Sequence, residues 1–314
     1  MSLIELIRHS AHQLEVAGVA FGHGTANAFD EAAWLVLWQL GLPLDSILDD
    51  GEGTLAYQAI AADAQAQVEA LVATRIQTRK PTAYLTQEAW LQGVPFYVDE
   101  RVIVPRSFIA ELLAEGAIDP WLTEQSHNML DLCTGNGSLA IIAALVYPEV
   151  RVTASDLSAD ALAVAQINLD KHALQARITL VQSDGLSAQA LVGRAPFDLI
   201  LCNPPYVNAS SMAALPLEYH AEPAMALDGN LAGGEDGMDF VRTLLQNAPA
   251  VMHDNAVLVL EIGNEREHFE AAFPKLEVVW LETSAGEDQV LLVTRSALAA
   301  ESESRSAIIR TVAT

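Results

Sequence analysis

The tetrapeptide Asn203-Pro204-Pro205-Tyr206 follows Phe197-Asp198-Leu199-Ile200-Leu201-Cys202, a short apolar run that reads as a buried strand. Each proline removes a backbone donor, fixes φ and biases its predecessor away from helix. The strand therefore ends in a stiff, extended bend whose carbonyls point outward. Asn203 offers a side-chain oxygen as acceptor, and Pro204 a carbonyl with no competing N–H of its own. Tyr206 adds a flat ring with a polar tip. Asn203, Pro204, Pro205 and Tyr206 together suit a planar NH2 group on a carbonyl or a heteroaromatic ring. The competing reading is a strand-terminating turn with a packed tyrosine. It loses weight once the glycine loop upstream is counted.

That loop is Asp131-Leu132-Cys133-Thr134-Gly135-Asn136-Gly137, between a predicted strand and a predicted helix. Gly135 and Gly137 let the backbone turn tightly and approach a ligand. Asp156 ends the next strand, 25 positions after Asp131, close to the ~20-residue spacing at which an acidic residue reaches ribose hydroxyls in nucleotide-binding folds. Asp184-Gly185 ends the third strand, placed to receive an adenine amino group. The loop lacks both the G-x-G-x-x-G fingerprint and the Lys-Ser/Thr pair of a phosphate loop. No obvious basic residue awaits a pyrophosphate. Acidic ends on three successive strands suit a ligand with a ribose, an amine and a sulfonium but no phosphate, which describes S-adenosylmethionine. The candidate cofactor-binding set is Asp131, Cys133, Thr134, Gly135, Gly137, Asp156, Leu157, Asp184, Gly185 and Asn203.

The elements that must position these residues alternate from Asn128 onward. Strands are predicted at 129–132, 151–156, 177–182, 197–202, 256–262, 277–281 and 289–293, with helices at 138–147, 159–172 and 238–251. Such alternation predicts an α/β, doubly wound, mostly parallel sheet covered on both faces. The last two strands lie too close for a helical crossover, so one is expected to be antiparallel. The first eighty or so residues read as a small helical bundle. Ser2 and Glu5 form a capping box; a second helix runs near Asp30–Leu40 and a third from about Thr54 to Arg79. Trp34 and Trp38, four apart, read as core. The runs 90–98 and 101–104, broken at Gly93 and at Asp99-Glu100, predict a β-hairpin linker, and Pro105-Arg106-Ser107 opens a helix to about Gly116. The expected divisions are 1–83 helical, 84–104 hairpin, 105–296 catalytic and 297–314 a loose tail. Glu261-Ile262-Gly263 reads as a strand-end turn rather than a pocket wall, and Glu218 to Asp228 as part of a loop over the pocket.

Composition narrows the partners. The 314 residues are 51% hydrophobic, with a formal net charge of -25 from 16 basic and 41 acidic residues. Nucleic-acid binders usually carry a basic footprint, so free duplex DNA is disfavoured. A basic protein partner fits the field, although acidity for solubility alone fits equally. Cys133 and Cys202 sit in apolar contexts without a signal peptide ahead of them and are expected reduced and buried, in a cytoplasmic protein. No apolar run reaches the length of a membrane span. His9 and His12 lack a third ligand in view, so no metal is expected.

On these residues the chain from about 128 to 296 resembles a class I S-adenosylmethionine-dependent methyltransferase, with the Asn-Pro-Pro-Tyr loop of those that methylate an amide or exocyclic amino nitrogen. The whole chain to about 296 resembles the protein N(5)-glutamine methyltransferases. Phe96-Tyr97-Val98-Asp99-Glu100-Arg101-Val102-Ile103-Val104-Pro105-Arg106-Ser107 resembles the branch that modifies large-subunit ribosomal protein L-three. The release-factor branch usually continues Pro-Arg with Pro-Asp-Thr-Glu, absent here; Phe108, where the ribosomal branch often has proline, is a departure. The resemblance implies a basic ribosomal protein substrate, and Asn203 with the Pro204 carbonyl accepting the two N–H bonds of its glutamine. Three alternatives remain open: a release-factor glutamine methyltransferase, a DNA amino-methyltransferase using the same tetrapeptide, and a ribosome-assembly factor that keeps the fold without catalysis.

Overall fold

Ser2 opens the first helix as the sequence predicts. In the computed structural model, which describes residues 1–48, 54–194 and 196–301, its side chain accepts from the Glu5 amide while the Glu5 side chain accepts from the Ser2 amide. Helix α1 (Leu3–Val16) packs with α2 (Ala28–Gln39) and α3 (Ala62–Thr78) around Leu6, Leu14, Leu35 and Val68. The third helix starts later than its composition suggests. Residues ahead of it instead run beside the N-terminus, with Leu3 N–H donating to the Gln58 carbonyl and Ile60 N–H to that of Met1. The predicted start at Thr54 is thus moved to Ala62, and part of the stretch before it lies outside the described residues. Trp34 packs at the edge of a second cluster with Tyr84 and Val102, and both it and Trp38 remain partly exposed.

After α4 (Thr82–Thr86) comes a hairpin of β1 (Ala89–Leu91) and β2 (Val94–Phe96), turned at Gln92-Gly93 with φ of +49° and +73°. Two positive φ values suit the strand twist. The predicted strand at 101–104 does not form. That segment begins in a turn, with the Val102 N–H donating to the Asp99 carbonyl, and the Val104 N–H goes to a carboxylate, Glu222 Oε1, instead of a neighbouring strand. Helix α5 (Ile109–Ala114) then leads into the sheet.

The sheet contains β3 (Asn128–Leu132), β4 (Arg151–Asp156), β5 (Ile178–Gln182), β6 (Phe197–Cys202), β7 (Met252–Glu261), β8 (Val279–Thr283) and β9 (Gly286–Thr294), in the order β5-β4-β3-β6-β7-β9-β8. The first five are parallel, and β9 runs antiparallel to both β7 and β8. Helices α6 (Ser138–Val146) and α7 (Ala159–Lys171) follow β3 and β4. The short α8 (Gln189–Val192) and α9 (Ala209–Ala214) flank β6, and α10 (Asp239–Asn247) and α11 (Arg266–Ala272) flank β7. The fold is a doubly wound, mostly parallel α/β sheet, with a helical N-terminal segment. Leu199, Leu201, Val257 and Val259 face one buried layer, and Ile200, Leu258, Leu260 and Phe269 the other, so the central strands are apolar on both sides. Residues 295–301 are helical with Leu298 buried, so the start of the expected loose tail is ordered; 302–314 lie outside the described residues. Among the described residues, no helix is long and apolar enough to cross a membrane.

Candidate active site

The chain winds outward from β3 in both directions, to β4 and β5 on one side and to β6 and β7 on the other. In such sheets ligands bind at the carboxyl ends of the strands where the order reverses. The glycine loop follows β3 and Asn203 follows β6, its paired neighbour. The topology therefore sets the two sequence motifs side by side.

The glycine loop is braced from behind and open in front. Asp131 is fully buried; its Oδ2 accepts from Thr134 Oγ1 and from the Ala140 N–H at 3.0 Å. Burial pushes the Asp131 carboxyl up to about 7. Asp131 and Thr134 thus pin the loop to its helix and do not line the pocket. Gly137 does not line it either. A Cβ there would sit 3.2 Å from that of Ala165, so this glycine permits close packing on α7. Gly135 has φ +55° and open space where a Cβ would project. Its N–H donates to Asp156 Oδ2 at 2.9 Å, and the Ser158 N–H donates to Oδ1 at 2.9 Å. Burial raises the Asp156 carboxyl.

Cys133, Gly135, Asp156, Leu157, Asp184, Gly185, Asn203 and Pro205 line one continuous pocket. Cys133 is only half-buried there, contrary to its expected burial, whereas Cys202 is buried and its thiol is pushed up by that burial. Leu157 and Asp184 are exposed at the rim. The opposite wall comes from Pro223, Met225, Ala226, Leu231 and Phe240, with Arg101, Val102 and Ile103 closing one end. Of the residues from Glu218 to Asp228, Pro223, Met225 and Ala226 line the pocket. Arg101 is the cation on this wall, and Asp99 holds it at 2.6 Å. The donor set fits S-adenosylmethionine. Carboxylates suit hydroxyls and an amine, the free space over Gly135 admits a flat ligand against backbone, and the paired Arg101 offers little to a phosphate.

The Asn-Pro-Pro-Tyr corner rests on the end of β7. Asn203 Nδ2 donates to Glu261 Oε1 at 3.1 Å. Glu261 Oε2 accepts from Ser107 Oγ at 2.5 Å and from the Phe108 N–H at 2.9 Å. Glu261 is 2% exposed, and burial pushes its carboxyl up to about 7 against the pull of Ser107 and, more weakly, Arg106. Gly263, at φ +52°, lies under the Tyr206 ring; a Cβ there would be 2.7 Å from Cε2. Burial raises the Tyr206 phenol, although an edge of the residue still meets solvent. Pro204 is buried, and neither it nor Tyr206 lines the pocket walls. Glu261 and Gly263 are thus supports of the corner, where the sequence suggested a plain turn. Their only signal was an acidic residue ending an otherwise apolar strand.

The pocket cover is anchored by two more buried carboxylates. Glu222 takes Arg106 Nη1 and Nη2 at 2.6 and 2.7 Å and the Val104 N–H at 2.9 Å. Burial works to raise it, yet His23 at 3.6 Å and the Arg106 guanidinium hold it down to about 2. Glu218 accepts from the Ala20 N–H at 3.1 Å and from Arg79 at 3.2 Å. Tyr219 lies between the His23 ring, 4.3 Å away, and the Arg106 guanidinium at 5.4 Å. The helical segment, the linker and the cover meet in this cluster.

Fold and pocket together define a class I S-adenosylmethionine-dependent methyltransferase, and residues 111–232 match the methyltransferase small domain family. The chain is 50% identical to the ribosomal protein uL3 glutamine methyltransferase of Bordetella pertussis over 302 residues, covering 95% of this chain and 96% of that one. The protein of the same description from Burkholderia pseudomallei is 51% identical, covering 94% and 95%. That from Neisseria gonorrhoeae is 45% identical over 299 residues, covering 95% of each chain. This chain belongs to the ribosomal protein uL3 glutamine methyltransferase family. It is an enzyme, and its methyl donor is S-adenosylmethionine.

Proposed function

We propose that this enzyme methylates the side-chain amide nitrogen of a glutamine in ribosomal protein uL3, a basic cytoplasmic partner suited to a chain of net charge -25. The donor supplies an electrophilic methyl group on a sulfonium. Asp156 would hold the ribose hydroxyls and Asp184 the adenine amino group, with the Gly135 backbone against the ligand. An amide nitrogen is a poor nucleophile because its lone pair is delocalised into the carbonyl, so the chain's own contribution is orientation. Asn203 Oδ1 and the Pro204 carbonyl accept the two N–H bonds, and Tyr206 packs beside the flat amide. As the N–C bond forms and the S–C bond breaks, one N–H proton becomes acidic and leaves to solvent, so no dedicated base is required. Alignment of both reactants in near-attack geometry is worth ~7–11 kcal/mol. The helical segment 1–83, tied through the linker 84–104 to the catalytic part 105–296, would recognise the substrate, and no metal takes part.

The observation that carries this reading is the Asn203–Glu261 hydrogen bond. It uses the asparagine's NH2 and leaves Oδ1 as a free acceptor. The test is incubation with labelled S-adenosylmethionine and purified uL3, release factors or duplex DNA, followed by mapping of the product. Label on a glutamine of uL3, and its loss in Asn203→Ala with donor binding retained, supports the proposal. Label on release factor or DNA, or none beside intact donor binding, selects one of the alternatives.

A further inference from the structure

We propose that Glu261 is the positioning residue that decides which end of the Asn203 amide meets the substrate. This rests on the reading of Asn203 as the substrate's acceptor and adds what sets its orientation. Three donors converge on the Glu261 carboxylate: Asn203 Nδ2 on Oε1, and Ser107 Oγ and the Phe108 N–H on Oε2. The Phe108 N–H is a fixed backbone donor, so an oxygen must face it. An ionised carboxylate only accepts. It therefore holds the NH2 of Asn203 toward itself and turns Oδ1 away. An asparagine without this anchor can flip by half a turn at little cost, and its NH2 would then oppose the substrate's own N–H donors.

Protonation reverses the arrangement. Oε2 faces the fixed Phe108 N–H as well as Ser107, whereas Oε1 has the Asn203 amide as its hydrogen-bond partner, so we place the proton on Oε1. Its hydroxyl then donates to Asn203 Oδ1, and the amide turns its NH2 outward. Glu261 is ringed by Arg106 and Ser107 from the segment ahead of α5 and Tyr206 from the corner, with Glu265 and Tyr219 beyond Tyr206. Arg106 is itself paired with Glu222. Burial places the Glu261 transition near 7. The competent form is the ionised one, so turnover climbs as pH passes upward through that transition.

The isosteric Glu261→Gln separates positioning from support. Its amide must present oxygen to the Phe108 N–H, which leaves its NH2 facing Asn203 and forces the flip. We expect kcat to fall at least about 10²-fold, the loss typical of one misdirected polar group at a reacting centre, with donor affinity by calorimetry unchanged. The acid limb near pH 7 should vanish. In Asn203→Asp combined with Glu261→Gln, oxygen faces both ways, and part of the lost turnover should return. Wild-type kcat and pH profile in Glu261→Gln, or no recovery in the double variant, would overturn the proposal. If Asn203→Ala itself keeps full turnover, the underlying reading of Asn203 fails instead.

Discussion

Gly263→Ala tests whether the β7 end positions the corner. Two costs follow from the geometry. The residue sits at φ +52°, where a side chain costs roughly 1–2 kcal/mol. Its new methyl would meet Tyr206 Cε2 at 2.7 Å and Cζ and Oη at 3.0 Å, against ordinary carbon contacts of about 3.5–4.0 Å. Tyr206 must therefore retreat by about 1 Å. It has little room, because its ring packs on the buried layer beneath β6 and β7 and its carbonyl lies where a Cβ on Gly237 would be 2.1 Å away. Overpacking of this kind costs about 1–3 kcal/mol, so the total is roughly 2–5 kcal/mol if nothing relaxes. If the ring yields, it carries the corner with it, and a 1 Å misplacement of positioning groups costs about 10²-fold in rate. Thermal unfolding and single-turnover methyl transfer, with donor affinity as control, read the two outcomes. A variant with unchanged melting temperature and unchanged turnover would refute the claim that Gly263 holds Tyr206 in place.

Glu222→Ala removes the shared partner of Arg106 and the Val104 N–H. Breaking a buried pair costs about 3–5 kcal/mol; Arg106 keeps a quarter of its side chain in solvent, so the lower end is expected. Because Pro223 and Met225 cover the pocket, donor affinity should fall as well, which calorimetry checks. The Glu222 carboxyl is held at about 2, so its contribution is present above its ordinary pKa and lost as pH falls toward 2. Asp131 has the opposite sign. Its folded-state carboxyl titrates near 7, so the native state binds a proton that the unfolded chain has released, and stability declines as pH rises from about 4 to 7. Asp131→Asn lacks this group. Its stability relative to wild type should climb by about 1.4 kcal/mol per pH unit over that window and level off above it. Urea unfolding at four pH values measures the slope; a flat difference would show that Asp131 is ionised in the fold.

The sheet was legible because strands buried on both faces are written as unbroken apolar runs, and 151–156 and 197–202 coincide with β4 and β6. The pocket residues at the strand ends were legible for the same reason, once topology fixed which ends are adjacent. Two features were hidden. Val102-Ile103-Val104 has the composition of a strand, but its backbone donor is claimed by a carboxylate 118 positions away, so no ladder forms. Glu261 reads as a turn residue because its partners, Ser107 and Asn203, lie 154 and 58 positions away. Only tertiary structure brings such separations together. The split within the glycine loop was hidden too. Asp131, Thr134 and Gly137 share a motif with Gly135, but only Gly135 of these four faces the pocket.

That split has a common physical cause. A loop leaving a parallel strand turns away from the ladder and strips its first amides of strand partners. Buried amides without acceptors are costly, and an acidic side chain at the strand end is a compact way to supply two oxygens. Asp131 does this for the Ala140 N–H, Asp156 for those of Gly135 and Ser158, and Glu261 for that of Phe108. What remains after the backbone is satisfied decides each residue's further use. Asp131 is sealed behind the loop and does not line the pocket. Asp156 opens on the pocket and has lone pairs left for a ligand. Glu261 spends its second oxygen on the side chain of Asn203. An acidic strand end is therefore a weak sign of ligand contact in itself. Which carboxylate reads the ligand, and which holds the reader, follows from which side of the loop it occupies.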